Sequence, residues 1–198
     1  MFRRCPCAAA LAACPGAAFA HSPMAGIGEF YGGILHPLVV LPHILVLLVF
    51  GLLLGQRGVR AMRFAYPPFV LALMAGLFIA GFERQPALPA ETVLLLLAMV
   101  CGLLVAAQRP PPEPLLACLA GGIALLIGMD SGVTGLERRE TFAALAGCWL
   151  GVVLVLLVSA GVAEMAHRHW QRVALRVLGS WVTASASLVL ALAFAPET

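Results

Sequence analysis

His36-Pro37-Leu38-Val39-Val40-Leu41-Pro42-His43 decides how the rest of the chain is read. Titratable, metal-competent side chains are costly at bilayer depth, and where they occur they mark a pathway or a site. In an unbroken helix the two imidazoles, two turns apart, would share a face yet stand about 10 Å from each other along the axis. Nickel-like or zinc-like ions hold nitrogen ligands at about 2 Å. Joint ligation therefore requires the backbone between the histidines to bend or unwind. Pro37 and Pro42 supply the means, since each lacks an N–H and disfavours helix in the residue before it. Broken helices lining polar cavities are how membrane proteins build ion sites. A competing reading leaves His36 solvated in the outer interface, with only His43 inside and bonded to a neighbouring helix. The segment alone leaves both open.

The surroundings of that segment are membrane-like. The chain has 198 residues, 62% of them hydrophobic and 11% charged, with a mean hydropathy of +1.02. Soluble domains carry about 25% charged residues. Six stretches approach the roughly 20 apolar residues that a span needs: 34 to 55, 64 to 82, 91 to 107, 115 to 129, 141 to 162 and 175 to 195. The expected fold is all-α, a polytopic bundle of about six transmembrane helices with the lipid bilayer as its principal partner. The fourth span is short and breaks at Gly128-Met129-Asp130-Ser131-Gly132, which places Asp130 near an interface or at the end of a half-helix. Net charge is +3, the twelve basic residues are all Arg, and they are scattered through loops. A single basic stripe is missing, so a nucleic-acid partner is not expected.

Met1-Phe2-Arg3-Arg4, an alanine-rich stretch and Ala18-Phe19-Ala20 before His21 fit a cleavable secretory signal over residues 1 to 20, leaving residues 21 to 198 as a single six-helix domain. Leu11-Ala12-Ala13-Cys14 offers a minority alternative, a lipobox with a lipidated Cys14. With the mature terminus outside, short loops enriched in Arg fall on the cytoplasmic side. Arg57, Arg60, Arg63, Arg109, Arg168, Arg172 and Arg176 lie inside and only Arg84, Arg138 and Arg139 outside. This is a bacterial inner-membrane topology with both mature termini periplasmic. Gln108-Arg109-Pro110-Pro111-Pro112-Glu113-Pro114 reads as an extended turn.

Small residues recur at Gly121-Gly122, at Gly147 and Gly151, and at Gly179 with Thr183. Such spacing lets helices approach closely in lipid, preferably within the monomer, otherwise between copies in a homo-oligomer. Cys101, Cys118 and Cys148 show no ligand spacing and read as small buried hydrophobes. His167 and His169 read as a solvated face. No phosphate loop, nucleophile elbow or H-E-x-x-H motif occurs, and no nucleophile and base stand out, so an enzyme is not expected.

In this topology the remaining donors gather on the outer side. Glu29, His36, His43 and Asp130 are candidates to converge on one cavity, with His21 as a capture group at the mature terminus. Nitrogen and carboxylate donors suit Ni, Co, Zn or Cu, a divalent ion as substrate with no organic cofactor. The ordinary alternative is that carboxylates collect wherever water begins.

The pattern resembles the HupE/UreJ family of small membrane proteins, found with hydrogenase and urease systems and regarded as nickel or cobalt permeases. His36, Pro37 and His43 match a first-helix motif similar to H-P-x-x-G-x-D-H, while Val40 and Pro42 stand where the family has Gly and Asp. Asp130 to Glu137 is similar to a second element, H-G-x-A-H-G-x-E. Gly135 and Glu137 are kept there, and Asp130 and Thr134 replace histidines. The resemblance implies a nickel or cobalt-type permease or metal-binding membrane protein with His36 and His43 as ligands and Asp130 and Glu29 as further ones. The missing donors raise an alternative, a non-transporting assembly protein for a membrane-associated metalloenzyme.

Overall fold

The computed structural model describes residues 28–82, 89–133 and 135–195, and all regular structure among them is helical. The described residues form seven helices: α1 (Glu29–Val39), α2 (Leu41–Arg57), α3 (Val59–Ala80), α4 (Ala90–Ala107), α5 (Glu113–Asp130), α6 (Arg138–Glu164) and α7 (His169–Ala193). Five of them, α3 to α7, are individually long and apolar enough to cross a bilayer. The other two meet at a 71° bend and pass that test only together, so the six expected spans correspond to five helices and one broken one. The signal segment, His21, Glu83, Arg84 and Thr134 lie outside the described residues.

Turn chemistry sets the helix ends. Gly58, at φ 91°, ends α2, and its N–H closes onto the Leu54 and Gly55 carbonyls. That positive φ is easy for glycine, which lacks a Cβ. The extended turn expected after α4 is present: Gln108 adopts a left-handed conformation and Pro112 an extended one before α5 begins. At the start of α6 the Glu137 N–H donates to the Glu140 carboxylate at 3.3 Å, within a reciprocal capping box.

α2 occupies the centre of the bundle. Val46, Leu47, Val49, Phe50 and Leu52 to Leu54 are enclosed on all sides, because α2 touches every other helix. A helix with protein neighbours on most sides has little lipid-facing surface, which is why it reads apolar nearly all round. The outer helices pair through small residues. A Cβ at Gly33 of α1 would strike the Ala144 carbonyl of α6, and one at Gly147 would strike Phe30. α3 and α5 approach at Gly76 and Gly128, α4 and α7 at Gly102 and Gly179. The Gly147/Gly151 and Gly179 faces are therefore used within the monomer. Gly121 and Gly122 are not, since a Cβ there meets nothing within 4 Å. Cys101 and Cys148 are buried as expected, but Cys118 is exposed on the outside of α5.

The loops sort by end. Arg57, Gly58, Gln108, Pro110, His167 and Arg172 line one cavity, which puts the α2–α3, α4–α5 and α6–α7 connections together. Phe82, Val133, Leu136 and Arg138 line another, joining the α3 end to the α5–α6 connection. Among the described residues, Arg57 and Arg172 thus lie around the end of α2 and Arg138 at the opposite end.

Candidate functional site

The break between α1 and α2 falls at Val40, whose φ −78° and ψ 107° are extended. Pro42 explains its position. As the second residue of α2 it needs no N–H there, whereas in a continuous helix its ring would clash with the Leu38 carbonyl. Pro37 lies inside α1 and is buried. The Val40 N–H still reaches the His36 carbonyl at 3.0 Å, and Ile44 N–H reaches the Val40 carbonyl at 3.1 Å. The bend therefore strands little backbone, as the bilayer demands.

This bend brings the two imidazoles together. The ring centroids of His36 and His43 are 5.5 Å apart at an interplanar angle of 62°. Two turns of straight helix would hold them at about twice that distance. The reading that leaves His36 apart from His43 does not match the geometry, although its other half does: His43 is fully buried and bonded to a neighbouring helix.

That bond is to Asp130. His43 Nε2 lies 3.0 Å from Asp130 Oδ2, with the carboxylate side chain 22% exposed. Asp130 is the last residue of α5, which the Gly76/Gly128 contact sets against α3. The next residue, Ser131, is buried and donates its hydroxyl to the Ile127 carbonyl at 2.7 Å, closing the helix end that carries the carboxylate. In the neutral tautomer that donates Nε2–H to this carboxylate, the other ring nitrogen presents a lone pair. His43 Nδ1 is buried and has no hydrogen-bond partner among the described residues. Carboxylate, imidazole and bare nitrogen form the arrangement that orients a metal-ligating histidine.

His36, His43 and Asp130 therefore form a chain of three. Asp130 occupies one ring nitrogen of His43 and is placed to orient that ring, whereas the sequence offered it as a ligand. Glu29 does not join them. It opens α1 two turns before His36, and its buried Oε2 has no hydrogen-bond partner among the described residues. Among the described residues no three His, Cys, Asp or Glu side chains are grouped so as to hold one metal ion. Ser131 and Trp149, whose indole Nε1 is buried without a hydrogen-bond partner among the described residues, were not anticipated. Nothing in the sequence pattern distinguishes either from an ordinary helix-end serine or an apolar-run tryptophan. His167 and His169 are exposed, as a solvated pair should be.

A family model described as "HupE / UreJ protein" matches residues 9–190. The protein called "Protein HupE" from Rhizobium leguminosarum bv. viciae is 28% identical over 178 residues, covering 90% of this chain and 92% of its own length. No solved structure matches the chain.

Proposed function

The chain belongs to the HupE/UreJ family of hydrogenase and urease accessory membrane proteins, and from that premise we propose that it is a secondary permease for a divalent transition-metal ion of the nickel or cobalt type. The observation that carries this reading is the bent α1–α2 pair, which sets His36 against a His43 ring already anchored on Asp130. His43 Nδ1 and the His36 imidazole supply nitrogen donors, Asp130 fixes the ring, and water fills the remaining positions. Sparse coordination suits transport, because a carried ion must leave as readily as it enters. Asp130 also restores something the first-helix motif lacks. Where the family pattern has an Asp beside the second histidine this chain has Pro42, and the carboxylate arrives from α5 instead.

The protein is a multi-pass membrane protein. In our reading it sits in the inner membrane, with the arginine-rich end cytoplasmic, residues 1 to 20 removed as a signal, and both mature termini periplasmic. His21 and Glu29 then precede the site on the periplasmic side as capture groups. Movement of α1 against α2 about Val40 provides the two states that alternating access needs.

Uptake of nickel, cobalt, zinc and copper by cells expressing the wild type or His36→Ala/His43→Ala tests this reading. Loss of uptake of one ion in the variant is the expected result, and equal uptake in both cells rejects a permease. The lack of a three-donor group among the described residues favours a second reading, a non-transporting assembly protein for a metalloenzyme. Purification separates the two, since an assembly protein brings down a stoichiometric partner without metal.

A further inference from the structure

The crevice between α2, α6 and α7 has an apolar part and a polar part on the same helix faces. Leu48, Leu52, Val155, Val158, Val162 and Leu178 line a groove of about 370 Å³ with an apolar surface, the Ser159 hydroxyl in its wall being turned onto the Leu47 and Val155 carbonyls. Gln56, Arg57, Gln108, Glu164, His167 and Arg172 line a polar cavity of about 490 Å³ at the arginine-rich end. The two follow each other turn by turn. Along α2, Leu48 and Leu52 lead to Gly55 and Gln56; along α6, Val155 and Ser159 lead to Ala163; along α7, running the other way, Leu178 leads to Leu175 and Arg172. Steps of three and four residues keep each series on one side of its helix.

The polar part is suited to an anion carrying hydroxyls. Arg172 spends one N–H on the His167 carbonyl at 3.1 Å and keeps its others, while Arg57 is exposed and forms no ion pair among the described residues. Two guanidinium groups repel a divalent cation and fit the oxygens of a phosphoryl group. Gln56 donates Nε2 to the Val105 carbonyl at 3.2 Å, and its buried Oε1 has no hydrogen-bond partner among the described residues. That oxygen and the Glu164 carboxylate are acceptors for a hydroxylated headgroup. The neighbouring groove offers no polar surface at all. One molecule class combines these demands, and basic pockets between transmembrane helices are where such headgroups bind. We propose that this crevice binds an anionic glycerophospholipid, its phosphoryl group held by Arg57 and Arg172 and one acyl chain laid along Leu48, Val158, Val162 and Leu178. The site lies at the end of α2 remote from His43 and stands whether or not an ion is carried.

Native mass spectrometry of the full chain released from nanodiscs of equal phosphatidylglycerol and phosphatidylcholine tests it. The wild type should retain phosphatidylglycerol with about tenfold preference, a difference easily resolved from parity. Arg57→Gln/Arg172→Gln should bring the two lipids close to parity, and Arg57→Lys/Arg172→Lys should keep most of the preference. Val158→Trp, a change at an exposed groove position, should lower retention of both lipids, which keeps the test decisive if the glutamine pair fails to fold. No preference in the wild type, an unchanged preference in the glutamine pair, or unchanged retention in Val158→Trp would overturn the site. Displacement of the lipid by millimolar inorganic phosphate would overturn it in favour of a free-anion site.

Discussion

The two ends of α2 carry polar groups in opposite ways. At the bend, His43 is sealed from solvent, tied to a carboxylate on another helix, and faces a second imidazole. At the other end, Gln56 and Arg57 open onto a wide polar cavity that Arg172 also lines. Burying a titratable group without a partner costs several kcal/mol in a medium of low dielectric, so the enclosed end requires a specific geometry. The open end requires only water or a headgroup. Chemistry that depends on ångström placement therefore belongs at the bend, and loose electrostatic binding belongs opposite.

The largest effect should come from the glycines that hold the bend in place. Gly33→Leu or Gly147→Leu drives side-chain atoms into the backbone of the facing helix, a form of overpacking that costs about 1–3 kcal/mol or more. Size-exclusion profiles in detergent should show loss of folded protein, whereas Gly121→Leu, which meets open space, should leave the profile intact. If both substitutions behave alike, the α1–α6 contact does not position the bend.

Next in size is the anchor of the ring. Asp130→Asn removes the carboxylate that accepts from His43 and should weaken metal binding about 10- to 100-fold, as loss of an orienting partner does elsewhere. Isothermal titration with nickel or cobalt reads this directly. An unchanged affinity would mean that the 3.0 Å contact has no bearing on ligation.

Restoring the missing backbone donor should have a smaller consequence. In Pro37→Ala/Pro42→Ala the N–H groups return, and α1 and α2 gain the option of one continuous helix, with about 3 kcal/mol of proline penalty relieved at an interior position. Spin labels at exposed Tyr31 and Arg57 should move apart in double electron–electron resonance. An unaltered distance would assign the bend to packing on α6 in place of the prolines.

The smallest effect is expected at the open end. Arg60 Nε and Glu113 form an ion pair at 3.2 Å, but the arginine side chain is 78% exposed. Exposed pairs contribute about 0–1 kcal/mol. Arg60→Ala should leave the thermal midpoint nearly unchanged, and a large drop would show that the arginine-rich end is not merely solvated.

Much of this contrast was legible in the sequence. The six apolar stretches, the proline pair between the histidines and the lopsided arginines are all short-range signals, and each lands on its helix, its bend and its end. The His43–Asp130 contact spans 87 residues, and no periodicity encodes a pairing across two helices. Its partial trace was the interrupted span at Gly128-Met129-Asp130. Glu29 illustrates the limit from the other side: carboxylate identity and outer placement suggested convergence, but its position on α1 puts two helical turns between it and His36. Cys118 was read as buried because apolar runs do not reveal which face meets lipid.

The most direct measurement is X-ray absorption at the nickel edge of the purified protein loaded with one equivalent of nickel. Imidazole scattering from two histidines in the wild type, reduced in His36→Ala and lost or disordered in His43→Ala, is the expected result. A shell of oxygen donors only, or a spectrum indifferent to both substitutions, would contradict an ion site at the bend.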